Sequence, residues 1–164
     1  MDKSNFNLLD KNFKRYWKQY LFQSFLGGIA LLLGLLLISI QKSPVIISSL
    51  GATCFIVFAT PGQYSSTERN ILGGHFIGIL SGSLFNLIPH GNYDYRAVLI
   101  YAGAVVLSIF LMAITDTEHP PGSATALGMT IQGFSIKLAG SMAICVLVLA
   151  ISHYLFKDRL RDLL

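Results

Sequence analysis

The sequence predicts an all-α integral membrane protein with four full transmembrane helices, two short broken or re-entrant helices and an amphipathic helix at the amino end. Three observations carry this reading. Of the 164 residues, 53% are hydrophobic and only 12% are charged, where an ordinary soluble domain carries about 25% charged residues. Mean hydropathy is correspondingly high, at +0.61. Six apolar runs follow one another, at 20–40, 44–60, 71–89, 96–115, 121–132 and 135–156. A polar, helix-breaking cluster, Asp116-Thr117-Glu118-His119-Pro120-Pro121-Gly122-Ser123, separates the fourth run from the fifth.

A bilayer crossing needs about 20 apolar residues, so the first, third, fourth and sixth runs are long enough, the second is borderline and the fifth is short. The chain then divides into a surface helix at 1–19, a transmembrane domain at 20–156 and a tail at 157–164. Cys54 and Cys145 lie inside apolar runs. They form neither a disulfide framework nor a metal-ligand spacing, and are expected to pack as small hydrophobes. No cleavage pattern of a signal peptide follows the first run, which makes a bacterial inner membrane the default location. No cofactor, metal or nucleic-acid partner is expected, and no enzymatic activity.

The amino end carries Lys3, Lys11, Lys14, Arg15 and Lys18 among Phe6, Leu9, Phe13, Trp17 and Tyr20 at spacings of three and four. That pattern suits a helix lying at the headgroups, lysines toward anionic lipid. The basic residues before the first span and Lys157, Arg159 and Arg161 after the last place both ends in the cytoplasm. The first span holds the small pair Ala30 and Gly34, which permits close helix approach.

Ser43-Pro44 then reads as a cap and a helix start. The β-branched run after it and the interruption Ser48-Ser49-Leu50-Gly51 predict an extended piece that turns into a short helix near Leu50. Thr60-Pro61-Gly62 stops that helix. In the third span Gly74, Gly78 and Gly82 form one Gly-xxx-Gly-xxx-Gly face, a surface for intimate packing and for self-association into a dimer or trimer. His75 lies beside it, a hydrogen-bonded structural histidine or a pathway residue. Pro89 to Asp94 make a turn. A fourth span leads to the polar cluster, whose two prolines begin the short fifth segment.

Two topologies fit. If the short segments dip and return there are four crossings; if all six runs cross there are six, with the same excess of basic residues inside. Gly51-Ala52-Thr53 is echoed by Ser123-Ala124-Thr125, 72 positions later and in the same place in the order of segments. That suggests two three-segment inverted repeats.

Ser49-Leu50-Gly51-Ala52-Thr53, Pro61, the run Glu68-Arg69-Asn70-Ile71-Leu72-Gly73-Gly74-His75, and Met112 through Leu127 around His119-Pro120-Pro121 resemble the HPP family of small membrane proteins. Gly122-Ser123 stands where an Ala-Gly is expected, and Glu68 where relatives often carry proline. The resemblance implies a four-spanning, transporter-like protein, some members of the family being linked to nitrite transport.

Helices that start at Pro120-Pro121 and near Gly51 would point unpaired N–H groups and a partial positive charge at a small anion. The substrate-binding set expected on this basis is Ser49, Gly51, Ala52, Thr53, Arg69, Asn70, His119, Pro120, Pro121, Gly122, Ser123 and Thr125. His119, with His75, Asp116 and Glu118, would gate or carry a coupling proton. The two acids repel an anion, and pairing of Asp116 or Glu118 with Arg69 would remove that conflict. The expected function is a transporter or channel for a small inorganic anion, nitrite for preference. A cation or proton-coupled carrier using Asp116, Glu118 and His119 is the alternative, and a non-transporting membrane scaffold a third.

Overall fold

The computed structural model describes residues 13–36, 44–91 and 95–164. Among these the chain forms six helices and no strand: α1 Phe13–Leu36, α2 Pro44–Ala59, α3 Glu68–Asn86, α4 Tyr95–Thr115, α5 Pro120–Gln132 and α6 Ile136–Phe156. Short 3-10 turns at Tyr64–Ser66 and Lys157–Arg159 complete it. The amphipathic stretch before residue 13, the Ser43 cap and the turn residues 92–94 lie outside the described residues. Residues 13–19 belong to α1 itself, which leaves helical geometry only at Tyr16 (φ −122, ψ 18).

Three helices, α1, α4 and α6, are long and apolar enough to cross a membrane. α3, expected as a full span from the third apolar run, is less apolar than the run at 71–89 suggested. It begins at Glu68, and Arg69, Asn70, His75, Ser81 and four glycines dilute it. At 1.5 Å per residue, α2 and α5 are about 24 and 20 Å long, short of a hydrocarbon core of about 30 Å.

The expected break in the second segment is absent. α2 is helical from Pro44 to Ala59, with Gly51 in its middle and nothing within 4 Å of the place its Cβ would occupy. Ser48 donates to the Pro44 carbonyl four residues back, and Thr53 Oγ1 lies 3.1 Å from that of Ser49, so the Ser48 hydroxyl reinforces the helix that it was expected to interrupt. Burial of Ile46, Leu50 and Val57 against the other helices outweighs the weak helix preference of β-branched residues.

α5 lies between α2, α3 and α4. It runs parallel to α3, since a Cβ at Gly74, Gly78 or Gly82 would meet His119, Gly122 and Ala126 in turn. It runs antiparallel to α2, with Gly128 against Ile46 and His119 against Thr53. The glycine face is therefore spent inside the chain. Backbone meets backbone there: methyls at Gly78 and Gly82 would overlap the carbonyl oxygens of Gly122 and Ala126. The expected use of this face for self-association is corrected accordingly.

The helix pairs in extended contact are α1·α2, α1·α6, α2·α5, α2·α6, α3·α4, α3·α5, α3·α6 and α4·α5. Exchanging α1, α2 and α3 for α4, α5 and α6 maps this set onto itself. The tail after α6 keeps its charged side chains exposed but is tied back to the end of α2. The backbone N–H of Leu163 donates to Ala59 O at 2.8 Å and that of Gly62 to Asp162 Oδ1 at 2.9 Å. Gln23, wholly buried in α1, accepts from Arg161 N–H at 3.1 Å and donates to Arg161 O at 3.0 Å and to Phe58 O.

Candidate functional site

α5 starts deep. Its N-cap, His119, lies against Gly74, six residues into α3, which is about 9 Å below the start of that helix. Residues 116–119 reach down to it in an extended path. Asn70 holds this path by donating from Nδ2 to Glu118 O at 3.3 Å and to Tyr64 O at 2.9 Å. Asp116 adopts a positive φ of 57, the left-handed turn that ends α4 and lets the chain change direction.

At the foot of this descent two histidines meet, both almost wholly buried. Their ring centroids are 5.0 Å apart. Thr53 Oγ1 joins them, 2.7 Å from His75 Nε2 and 3.0 Å from His119 Nε2. On the far side, His75 Nδ1 is 2.8 Å from Thr125 Oγ1, and His119 Nδ1 is 2.8 Å from Ser65 O. Ser49 Oγ closes the cluster, 2.8 Å from Thr125 Oγ1 and 2.6 Å from Pro121 O, with one proton to give to either.

The protons of the uncharged cluster follow from donor and acceptor capacity alone. The Ser65 carbonyl only accepts, so His119 carries its proton on Nδ1. Its Nε2 then needs a donor, which is Thr53. Thr53 in turn accepts from His75 Nε2–H, leaving His75 Nδ1 to accept from Thr125. All the bonds run in one direction and no ring nitrogen is left unpaired. A second positive charge on the pair would face the first across 5.0 Å, a repulsion of about 3 kcal/mol at an effective dielectric constant of about 20.

Ser49, Thr53, His75, His119, Thr125 and the Pro121 carbonyl are thus brought together. Gly51 instead lines a cleft between α1 and α2, and Ala52 is exposed. Arg69 lies at the rim, where it donates to Asp116 Oδ2 at 3.2 Å and to Thr115 O at 3.0 Å, with both side chains largely exposed. The pairing of Asp116 with Arg69 is therefore present, and Glu118 is left exposed. Glu68 meets His153 of α6 at 3.2 Å. Hydrogen bonding to Asp116 raises the pKa of the nearby Tyr64 phenol above its ordinary value.

The expected ring of free N–H donors at the start of α5 is corrected. Pro120 and Pro121 carry no N–H, and that of Gly122 is taken by His119 O at 2.8 Å. Gly51, inside α2, has no helix start to offer. What opens beside His119 is a cleft of about 410 Å³ lined by Ile109, Met112, Ala113, Glu118, Pro120 and Ser123. Ser123 Oγ lies 3.1 Å from Ser108 Oγ there, and Ser108 also has the Val105 carbonyl at 2.7 Å to donate to. Among the described residues no group of three or more His, Cys, Asp or Glu side chains converges to hold a metal ion.

Sequence reasoning passed over Ser65, whose carbonyl fixes the tautomer of His119, and Gln23, which ties down the tail. A lone amide in an apolar span was the available signal for Gln23. Nothing marks a carbonyl.

Six closely packed apolar helices with a polar cluster at their centre define a polytopic all-α membrane protein. Residues 14–156 match the HPP transmembrane region family, and the chain belongs to it. Two transmembrane proteins of Dictyostelium discoideum are similar, one 34% identical over 109 residues (65% of this chain) and the other 30% over 106 (63%). The matches span 36% and 33% of those proteins, so the chain covers about a third of their length. No solved structure matches.

Proposed function

We propose that this membrane protein moves a small inorganic anion across the bilayer together with a proton carried on the His75–His119 pair, nitrite being the ion implied by the family resemblance. The observation that carries the reading is the pair of buried imidazoles joined by one hydroxyl, 2.7 and 3.0 Å away. An anion entering a core needs a compensating positive charge. Arg69 is already paired and the start of α5 is almost without donors, so a proton on this pair is the charge left to supply it. The cleft beside His119, with the Ser123 hydroxyl, is the place for the ion. Arg69 neutralises Asp116 at the mouth, which removes one of the two acids that oppose an anion, while Glu118, unpaired among the described residues, stays on the cleft wall. No catalytic activity is proposed.

For topology, we propose six crossings in two inverted three-helix repeats. The exchange symmetry of the helix neighbours supports this, as do the alternating directions of α2, α3 and α5. Both ends of the chain would then lie on one side, the cytoplasmic side by the charge rule, in a bacterial inner membrane. A dimer or trimer would use the outer faces of α1, α4 or α6, where Val98, Val106, Phe110 and Ile151 are exposed.

The test is flux into proteoliposomes. Nitrite uptake should rise with an inward proton gradient, and His119→Gln and His75→Gln should each abolish that dependence. Uptake that ignores the gradient, or survives both substitutions, refutes the reading.

A further inference from the structure

The two threonines on either side of His75 occupy equivalent places in the chain. Thr53 and Thr125 are 72 positions apart, and each has a second acceptor four residues back. Thr53 Oγ1 is 3.1 Å from Ser49 O, and Thr125 Oγ1 is 3.2 Å from Pro121 O. Ser49 and Pro121 are themselves 72 apart. Each hydroxyl therefore has one proton and two places to put it, a ring nitrogen or a helix carbonyl.

We infer that Thr53 and Thr125 are a matched pair of hydroxyl rotors that let the buried histidines accept one added proton without leaving any polar atom unpaired. The donor count supports each step. When His119 gains a proton on Nε2, that N–H donates to Thr53. Thr53 then turns its own proton onto Ser49 O and accepts from both rings. When His75 gains a proton on Nδ1, Thr125 turns onto Pro121 O and accepts from the ring. The proton passes between the rings through Thr53: His75 gives up its Nε2 proton to the hydroxyl while the hydroxyl proton moves to His119 Nε2. One N–H and one O–H bond break, one of each forms, and the charge moves 5.0 Å between ring centres. Thr53 and Thr125 are positioning residues here; the charge resides on the rings.

The titratable or charged groups on the surrounding elements are few. α2 offers Cys54, α3 offers Glu68 and Arg69, the connections that precede α3 and α5 offer Tyr64, Asp116 and Glu118, and α6 offers Lys137, Cys145, His153 and Tyr154. α4 has Tyr95, Arg96 and Tyr101 at its far end, and α5 has none. No hydrogen bond joins any of these side chains to either ring among the described residues, so the rotors alone answer the added charge.

The inference rests on the reading of the pair as the proton-carrying centre, but its test is independent of flux. The full chain, labelled with 15N-histidine and held in lipid nanodiscs, is followed by solid-state NMR through a pH titration. His→Gln variants assign the four histidines. At high pH His119 should appear as the Nδ1–H tautomer and His75 as the Nε2–H tautomer, and acidification should add one proton shared by the two signals. Thr53→Val should uncouple them and release His75 from its tautomer; Thr53→Ser, which keeps the hydroxyl, should restore both. Rings in the same tautomer, independent uptake of two protons in the parent, or a Thr53→Val spectrum like the parent's would overturn it. Coupled rings without proton-dependent nitrite flux would leave the rotors standing and remove the transport reading.

Discussion

A methyl group added at Gly78 probes the packing that positions the site. In Gly78→Ala the new Cβ would overlap Gly122 O and lie 3.0 Å from Thr125 Cβ. A close C···O contact is about 3.3 Å, so α3 and α5 would have to part by about 1 Å. Both obstacles sit on or beside helix backbone, so neither can swing aside, and overpacking of this kind costs about 1–3 kcal/mol. Gly51→Ala is the control, since its Cβ would meet nothing within 4 Å and alanine gains about 1 kcal/mol over glycine in a helix interior. Gly78 is also inside a helix and shares that gain, so the two variants should differ by the overpacking cost, about 1–3 kcal/mol. For a chain of this size that is a gap of roughly 2–12 °C in thermal unfolding. Thermal scans of both proteins in the same detergent would measure it. A Gly78→Ala protein as stable as Gly51→Ala would refute the direct α3–α5 backbone contact, and with it the register that brings Thr125 to His75.

Other outcomes follow from the same geometry. Gln23→Leu removes both bonds to Arg161 and the one to Phe58 O, and buried groups left unpaired cost about 1–3 kcal/mol each; limited trypsin digestion should then cut after Arg159 and Arg161 faster than in the parent. Arg69→Ala should change stability by about 1 kcal/mol or less, because an exposed ion pair is worth little, yet should slow anion uptake by exposing the charge of Asp116 at the mouth. Asp116→Asn should lower the pKa of Tyr64 toward its ordinary value, read from the tyrosinate difference spectrum against a Tyr64→Phe blank. Single cysteines at Gly62 and Gly133 should label from opposite sides of the membrane if all six helices cross, and from the same side if the short segments dip and return.

The apolar runs and their order were legible because span length and hydropathy are local properties of the chain. So was the start of α5, since two consecutive prolines after a histidine admit few other local structures. The glycine face was visible as a pattern, but not its partner: the sequence holds nothing that distinguishes an internal groove from an oligomer interface, and only the descent of 116–119 brings α5 into it. The start of α2 was misread because β-branched residues and paired serines favour extended chain in isolation. Packing and the bond from Ser48 to Pro44 O decide otherwise. The meeting of Thr53, His75 and His119 needs the α2–α5 and α3–α5 registers together, and no single stretch carries either. The echo of three residues at an offset of 72 was a faint mark in the sequence. In the fold it becomes two threonines holding opposite sides of one ring.

The pair Pro120-Pro121 has a further consequence. Most helices must begin where water or side chains can receive the N–H groups of their first turn, and this obliges them to start near a surface. α5 has fewer to satisfy: of the four, two do not exist at Pro120 and Pro121, and that of Gly122 is bound within its own turn. It can therefore begin well below the ends of its neighbours, with its cap residue His119 buried among rings and threonines and Pro120 on the wall of the cleft. A Pro120→Ala or Pro121→Ala exchange would keep the helix and add one N–H in need of an acceptor, at 120 on the cleft wall and at 121 in the buried interior.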